Sequence, residues 1–306
     1  MTKLNVVITG ATGFVGQHLL DAIDYSKWNV RIVSRNFNKA LWVDDSKCEK
    51  CIADLSDEVS LLNAFDGQDV IINIAAEIRD PAKMEASNIE GIKNLTRAAK
   101  IKGVKYIVHL SSVGVVGMQY SFNTVLVDEH FSCAPKNKYE ETKLVSEQLL
   151  KDFTADSSIS LCILRPTNVI GEHHPFNALL NLSQQLKKGV PALYVKGAMV
   201  NYVYVKDLVE EIKRAVDTKT KLSVWNVGSA MYLKDFYGFL GKALQIKIRL
   251  VRIPAFVVHL LNLAGINKLN AISNKVEYVP KGSSINYNLQ IGIQHTIRFY
   301  KQSKKM

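Results

Sequence analysis

The chain has 306 residues, 47% of them apolar and 22% charged, enough for one large or two smaller domains with full hydrophobic cores. That composition excludes a disordered or collagen-like chain. The net charge of +11 is concentrated: from Gly241 to Met306 eleven basic residues face one acid, Glu277, so this stretch carries +10 and the first 240 residues +1.

The N-terminus runs directly into a strand pattern, so no secretory leader is expected. Near-continuous apolar runs at Leu4–Thr9, Val30–Ser34, Val70–Ile74, Tyr106–Leu110 and Ser160–Leu164 read as strands buried on both faces, the mark of a parallel sheet covered by helices. Helical patterns lie between them at Gly16–Ile23, Glu58–Ala64, Asn88–Ile101 and Tyr139–Phe153. The expected fold is α/β, a Rossmann-type doubly wound parallel sheet. After Arg165-Pro166 the rhythm changes to a helix at Ala178–Lys188, a strand at Asn201–Val205, a helix at Asp207–Val216 opened by a capping pattern at Asp207 and Glu210, and a short strand at Trp225–Val227. This predicts a dinucleotide-binding domain over 1–166 with 201–228 returning to it. A smaller C-terminal α/β substrate lobe takes 167–200 and 229–306.

Gly10-Ala-Thr-Gly-Phe-Val-Gly16 follows the first strand and opens the first helix. Glycines there let the backbone turn tightly and approach a pyrophosphate, whose charge suits a helix N-terminus. About 20 positions beyond the glycines an NAD site carries an acid for the ribose 2′-hydroxyl, whereas an arginine accommodates a 2′-phosphate. The second strand ends here in Ser34-Arg35, with no carboxylate and with Lys39 following. NADP(H) is therefore favoured, with NAD(H) the alternative.

The most apolar stretch, Ile253–Gly265, is short of the roughly 20 residues a spanning helix needs. Its helical part, Pro254–Gly265, reads as a buried helix or lid of the second lobe rather than an interfacial anchor. Four cysteines suit reduced thiols and a cytoplasmic location. Cys48 and Cys51 form a lone C-x-x-C ahead of a strand-like segment, with no second ligand pair, and His173-His174 reads as a loop pair. No metal site is expected.

In its order of motifs the chain resembles the extended short-chain dehydrogenase/reductase family of NAD(P)-dependent sugar-nucleotide epimerases, dehydratases and reductases. The resemblance rests on Thr9–Gly16 (TGATGFVG), Ala53-Asp-Leu55, Asn73-Ile-Ala-Ala76, Ser111-Ser112, Tyr139-Glu-Glu-Thr-Lys143, Arg165-Pro-Thr-Asn-Val-Ile-Gly171, Tyr202–Asp207 and Asn226-Val-Gly228. It implies cofactor contacts from Gly10, Thr12, Gly13, Phe14, Val15, Gly16, Arg35, Asp54, Leu55, Ala75, Ala76, Tyr139, Lys143 and Pro166. It implies catalysis by Ser112, Tyr139 and Lys143, and substrate contacts from Ser112, Asn168 and Asn177.

Tyr139 and Lys143, four apart on one helix, project from one face. A neighbouring ammonium is expected to lower the phenol pKa from its usual value near 10 toward the working range. Ser112, at a strand end, can hydrogen-bond a reacting oxygen.

Two departures from the family's patterns narrow the reaction. The Asp-Glu pair that dehydratases place after the catalytic serine is replaced by Val113-Gly114, and the arginine that binds the substrate diphosphate is replaced by Val200. The expected activity is an NADP(H)-dependent reduction of a keto group on a nucleotide-diphosphate sugar, of 4-keto-sugar reductase type. The alternatives are a nucleotide-sugar C4 epimerase or a reductase of an apolar steroid- or flavonoid-like ketone. A non-catalytic NADP(H) sensor would need no proton donor. The expected partners are an anionic small molecule and a second copy in a homodimer. The basic C-terminal charge suits that substrate or peripheral contact with an anionic membrane, and with no recognised binding motif, nucleic acid is not expected.

Overall fold

The computed structural model describes the chain except Met1, Lys39, Leu41, Gln119 and residues 266–268, 281–287 and 304–305. Lys39, Lys268, Lys281, Lys304 and Lys305, which enter the charge reading above, lie outside the described residues. In chain order the first elements are β1 (Leu4–Thr9), α1 (Phe14–Ala22), β2 (Trp28–Ser34), β3 (Cys48–Ile52), α2 (Glu58–Phe65), β4 (Val70–Asn73) and α3 (Pro81–Met84). A π-helical segment, Glu85–Glu90, joins α3 to α4 (Gly91–Ile101), followed by β5 (Tyr106–Leu110), β6 (Val125–Val127), α5 (Lys138–Ala155), β7 (Ser160–Pro166) and β8 (Asn168–Ile170). Then come α6 (Ala178–Lys187), β9 (Ala192–Tyr194), β10 (Met199–Tyr204), α7 (Val205–Thr218), β11 (Leu222–Val227), β12 (Ser229–Tyr232), α8 (Leu233–Leu244), β13 (Leu250–Arg252), α9 (Ala255–Leu263), β14 (Val276–Tyr278) and α10 (Leu289–Gln302).

The chain divides into two compact units, Met1–Gly117 with Cys133–Pro166 and Val209–Trp225, and Met118–Ser132 with Thr167–Leu208 and Asn226–Met306. Relative to the expected boundaries, residues 118–132, 201–208 and 226–228 fall in the second unit. For the first two stretches the reason is strand pairing: β6 pairs with β14, and β10 pairs with β8 and β12.

The first unit is built on a seven-stranded sheet in the order β11-β7-β5-β4-β1-β2-β3, with every pairing from β3 across to β7 parallel. Val6, Val7 and Ile8 of β1 and Ile71 and Ile72 of β4 are wholly buried, as expected for strands covered on both faces. One face packs against α2 and α4 through Leu61, Ala64, Phe65, Leu95, Ala98 and Ala99. The strand β3 was absent from the apolar runs because its sequence, Cys-Glu-Lys-Cys-Ile, belongs to an edge and exposes Glu49 and Lys50, a common protection against edge pairing. The C-x-x-C lies within this strand rather than before it. Residues three apart on a strand point to opposite faces, and both thiols are free.

Among its described residues the second unit has three small sheets, β12-β10-β8, β13-β9 and β14-β6, around a core of Leu179, Leu180, Leu186, Phe236, Leu240, Ile293 and Ile297. Helix α7 begins at Val205, two residues before the expected cap. Asp207 therefore sits inside the first turn, where its carboxylate accepts from the Asn288 amide at 3.2 Å. Of the two forms expected for Pro254–Gly265, the buried helix is overturned, since Val258 is the one buried side chain of α9. No helix among the described residues is long and apolar enough to cross a membrane.

Candidate active site

The carboxyl ends of six neighbouring strands of the first unit carry most of the predicted site. β1 leads into Gly10–Gly16, β2 into Arg35, β3 into Asp54 and Leu55, β4 into Ala75 and Ala76, β5 into Ser112, and β7 ends at Pro166. Open parallel sheets bind ligands at this edge.

Gly10 has φ of 75°, and a Cβ there would lie 2.6 Å from the Ala75 amide nitrogen. Only glycine permits that approach. A Cβ on Gly16 would meet the Ala11 backbone at 2.4 Å, so helix and turn pack as closely as a pyrophosphate cradle requires. Gly13 is the N-cap of α1, no side chain caps the helix, and its amide donates to the Gly10 carbonyl at 3.0 Å. The helix N-terminus is thus left to an anion. Arg35 is exposed and makes no ion pair among the described residues. One Asp54 carboxylate oxygen accepts from the Ser56 amide at 2.9 Å. These residues fit a dinucleotide: a cradle that a Cβ would fill, a helix start and a free cation at the end of β2.

Helix α5 explains the second half of the site. Its buried face is mostly polar: Glu140, Thr142, Lys143, Ser146 and Glu147 alongside Leu150 and Thr154. Burying such groups is costly unless each is bonded, and each is. The Lys143 ammonium donates to the Leu110 carbonyl at 2.5 Å. Glu147 accepts from the Ser111 hydroxyl at 2.6 Å and from Arg165 Nε and Nη2 at 2.9 and 2.7 Å. Glu147 and Arg165 are wholly or almost wholly buried, and this bidentate pair ties β5, α5 and β7 together. The Ser146 hydroxyl donates to the Asn88 carbonyl at 2.6 Å, a group within the π-helical segment, while the Asn88 amide donates to Thr142 Oγ1 at 3.1 Å.

Ser112 caps a short 3-10 turn, Val113–Val116, its hydroxyl oxygen accepting from the Gly114 amide at 3.0 Å. A Cβ on Gly114 would lie 3.0 Å from Glu140 Cγ. The space in which the dehydratase glutamate would stand is thus held by a carboxylate from α5.

Electrostatics correct one expectation. Burial, reinforced by the Glu140 charge, pushes the Tyr139 phenol up to about 12, against a hydrogen bond from Ser112 that favours the phenolate. Burial also brings Lys143 down to about 8, opposed by Glu147. The net shift of the phenol is therefore upward and not downward, because desolvation dominates and the Lys143 ammonium is committed to a main-chain carbonyl.

Asn168 and Asn177 belong to the second unit. The Asn168 amide donates to the Asn201 carbonyl at 3.2 Å, and Asn177 stands exposed at the start of α6 without capping it through its side chain. Val200 packs against the apolar core of that unit. His173 has φ of 63° and its ring meets Phe299 at 4.5 Å, while His174 Nδ1 accepts from the Phe176 amide. Sequence reasoning missed Glu140, Glu147 and Asn88. The available signal was the run of polar residues at helical spacing, 140, 143 and 147, on a helix that must pack against the sheet.

Residues 6–228 match the model of the NAD dependent epimerase/dehydratase family, and the chain belongs to that family. An Escherichia coli O157:H7 relative, N-acetyl-alpha-D-glucosaminyl-diphospho-ditrans,octacis-undecaprenol 4-epimerase, is 32% identical over 220 residues, 68% of this chain and 62% of its own length. Sterol demethylase protein B of Methylococcus capsulatus is 30% identical over 175 residues, 55% of this chain and 52% of its own length. The chain thus spans between half and two thirds of these relatives. The fold is shared with the UDP-glucose 4-epimerase of Thermotoga maritima, solved with UDP-glucose, at a TM-score of 0.77 and 20% identity over 98% of this chain and all of that one.

Proposed function

We propose that the protein interconverts a secondary alcohol and a ketone at C4 of a sugar held through a diphosphate, and that it releases the C4 epimer. The observation that carries this reading is the assembly at one sheet edge of Ser112, Tyr139 and Lys143 beside a glycine cradle, with Val113-Gly114 where elimination chemistry would need an acid and a base. The 4-epimerase names of the E. coli and Thermotoga proteins support it.

Gly10, Gly13 and Gly16 would hold the pyrophosphate of NAD(P), Asp54 the adenine side, and Ala75 and Ala76 the wall of the cofactor site; when bound, the nicotinamide supplies the hydride acceptor and donor. Tyr139 as the phenol gives its proton to the C4 oxygen when the carbonyl is reduced, and as the phenolate takes the proton back when the alcohol is oxidised; burial makes the phenolate the minor form at neutral pH. Ser112 hydrogen-bonds that oxygen and fixes its direction. Lys143, between Leu110 and the phenol-bearing turn, supplies positive charge that favours the phenolate when the alcohol is oxidised. Glu147 and Arg165 hold Ser111 and α5, and so set the separation of Ser112 from Tyr139.

A second reading, the NADP(H)-dependent 4-keto-sugar reductase, is favoured by the exposed Arg35 at the end of β2, which makes no ion pair among the described residues. Incubation with UDP-glucose, UDP-N-acetylglucosamine and undecaprenyl-diphospho-N-acetylglucosamine separates the two readings and the two kinds of diphosphate carrier. Proton NMR should show the C4 epimer of one of them with no net change in nicotinamide absorbance. Turnover of a 4-keto sugar with stoichiometric loss of NADPH, and no epimer, would replace the epimerase by the reductase.

A further inference from the structure

Helix α9 buries one side in the second unit and leaves an apolar stripe exposed on the other. Val258 is buried in the core of the second unit. The His259 ring lies 5.7 Å from that of Phe122, and the Asn262 amide donates to the Tyr120 hydroxyl at 3.1 Å. The opposite side carries Phe256, Leu260 and Leu263, 65%, 58% and 73% exposed. Spaced by four and then three residues, these form one stripe along the helix. Nine residues make a rod of about 14 Å, under half a bilayer's apolar thickness. Such a helix lies on a membrane surface and does not cross it.

Charge identifies what covers the stripe. Between Asp235 and Glu277 the sequence has six basic residues and no acid. Among them Lys247, Arg249 and Arg252, on and beside the strand that leads into α9, are exposed and make no ion pair among the described residues. The second unit as a whole has 16 basic and 6 acidic residues, a net +10. A second copy would set this charge against itself, whereas an anionic bilayer surface meets it with the opposite sign.

We propose that α9 docks the protein on an anionic membrane surface, with Phe256, Leu260 and Leu263 in the interface and Arg249 and Arg252 at the lipid phosphates. This assignment is independent of the reaction catalysed.

Sedimentation of the full chain with vesicles of phosphatidylcholine and phosphatidylglycerol in equal parts, or of phosphatidylcholine alone, tests it. Binding is expected on the mixed vesicles, weakened by salt and far weaker on phosphatidylcholine. The triple variant Phe256→Ser/Leu260→Ser/Leu263→Ser should lose on the order of a hundredfold or more in affinity, and Arg249→Gln/Arg252→Gln roughly tenfold, with melting temperatures unchanged. Wild-type binding no tighter than that of the triple variant overturns the proposal. So does failure to bind vesicles together with a dimer in analytical ultracentrifugation that the triple variant abolishes, which would assign the stripe to a second copy.

Discussion

The first unit holds 23 basic and 22 acidic residues, the second 16 and 6, and they place polarity in opposite ways. In the first, Glu147, Arg165, Lys143 and Glu140 are drawn inside and each charge is bonded. In the second, Lys247, Arg249 and Arg252 stand in solvent beside an exposed apolar stripe. Buried, bonded charge fixes one geometry, as proton transfer requires. Exposed charge beside exposed apolar surface fixes nothing internally and is suited to meeting something outside the molecule.

That contrast can be broken by substitution. Tyr139→Phe should lower turnover by on the order of a thousandfold with the fold intact by circular dichroism; retained turnover would remove Tyr139 from the chemistry. Glu147→Gln removes the carboxylate charge against which the buried Arg165 guanidinium is bonded and should destabilise by about 3–5 kcal/mol in urea unfolding. The pair Glu147→Leu/Arg165→Met should recover most of that loss. The Glu147 carboxyl is held below its usual value, by Arg165 and Ser111 against the opposing effect of burial. Its stabilising contribution is therefore present above the unfolded carboxylate pKa near 4.3 and lost as the pH falls below it. Acid sensitivity equal in the wild type and the double variant would contradict this assignment.

Smaller effects sharpen the comparison. Lys143 gives up its proton near pH 8, so kcat/KM for carbonyl reduction should fall above that pH, and Lys143→Met should lose this limb of the profile. Arg35→Ala should weaken NADPH about tenfold in fluorescence titration and leave NADH unchanged, since one charge-assisted contact is removed. Equal affinity of the wild type for the two cofactors would deny Arg35 that role. Smallest of all, Leu260→Ser should change stability by no more than about 0.5 kcal/mol, while a comparable cut at Leu161, wholly buried in the first unit, should cost several.

The first unit was largely legible because its strands are buried on both faces, so β1, β2, β4, β5 and β7 declare themselves as apolar runs. The glycine turn was legible for a local reason: Gly10 meets a steric condition that only glycine satisfies. The edge strand β3 and the short strands of the second unit were not, since edges and three-residue strands need no apolar run. Periodicity shows which side of a helix is apolar and not which side faces the core. That is why α9 was expected as a buried helix or lid and why Glu140 and Glu147 on the inward face of α5 went unremarked. The Tyr139 pKa was misjudged because spacing brings Lys143 near and is silent on desolvation.

The π-helical turn at Glu85–Glu90 places the chain's length, and not only its residue types, under constraint. A π turn closes its hydrogen bonds one residue late, and the Asn88 carbonyl is taken by Ser146 of a neighbouring helix. Deleting one residue here should remove the π turn and shift Asn88 relative to Ser146. Insertions and deletions in this stretch should therefore disturb α5, and Tyr139 with it, more than most substitutions do.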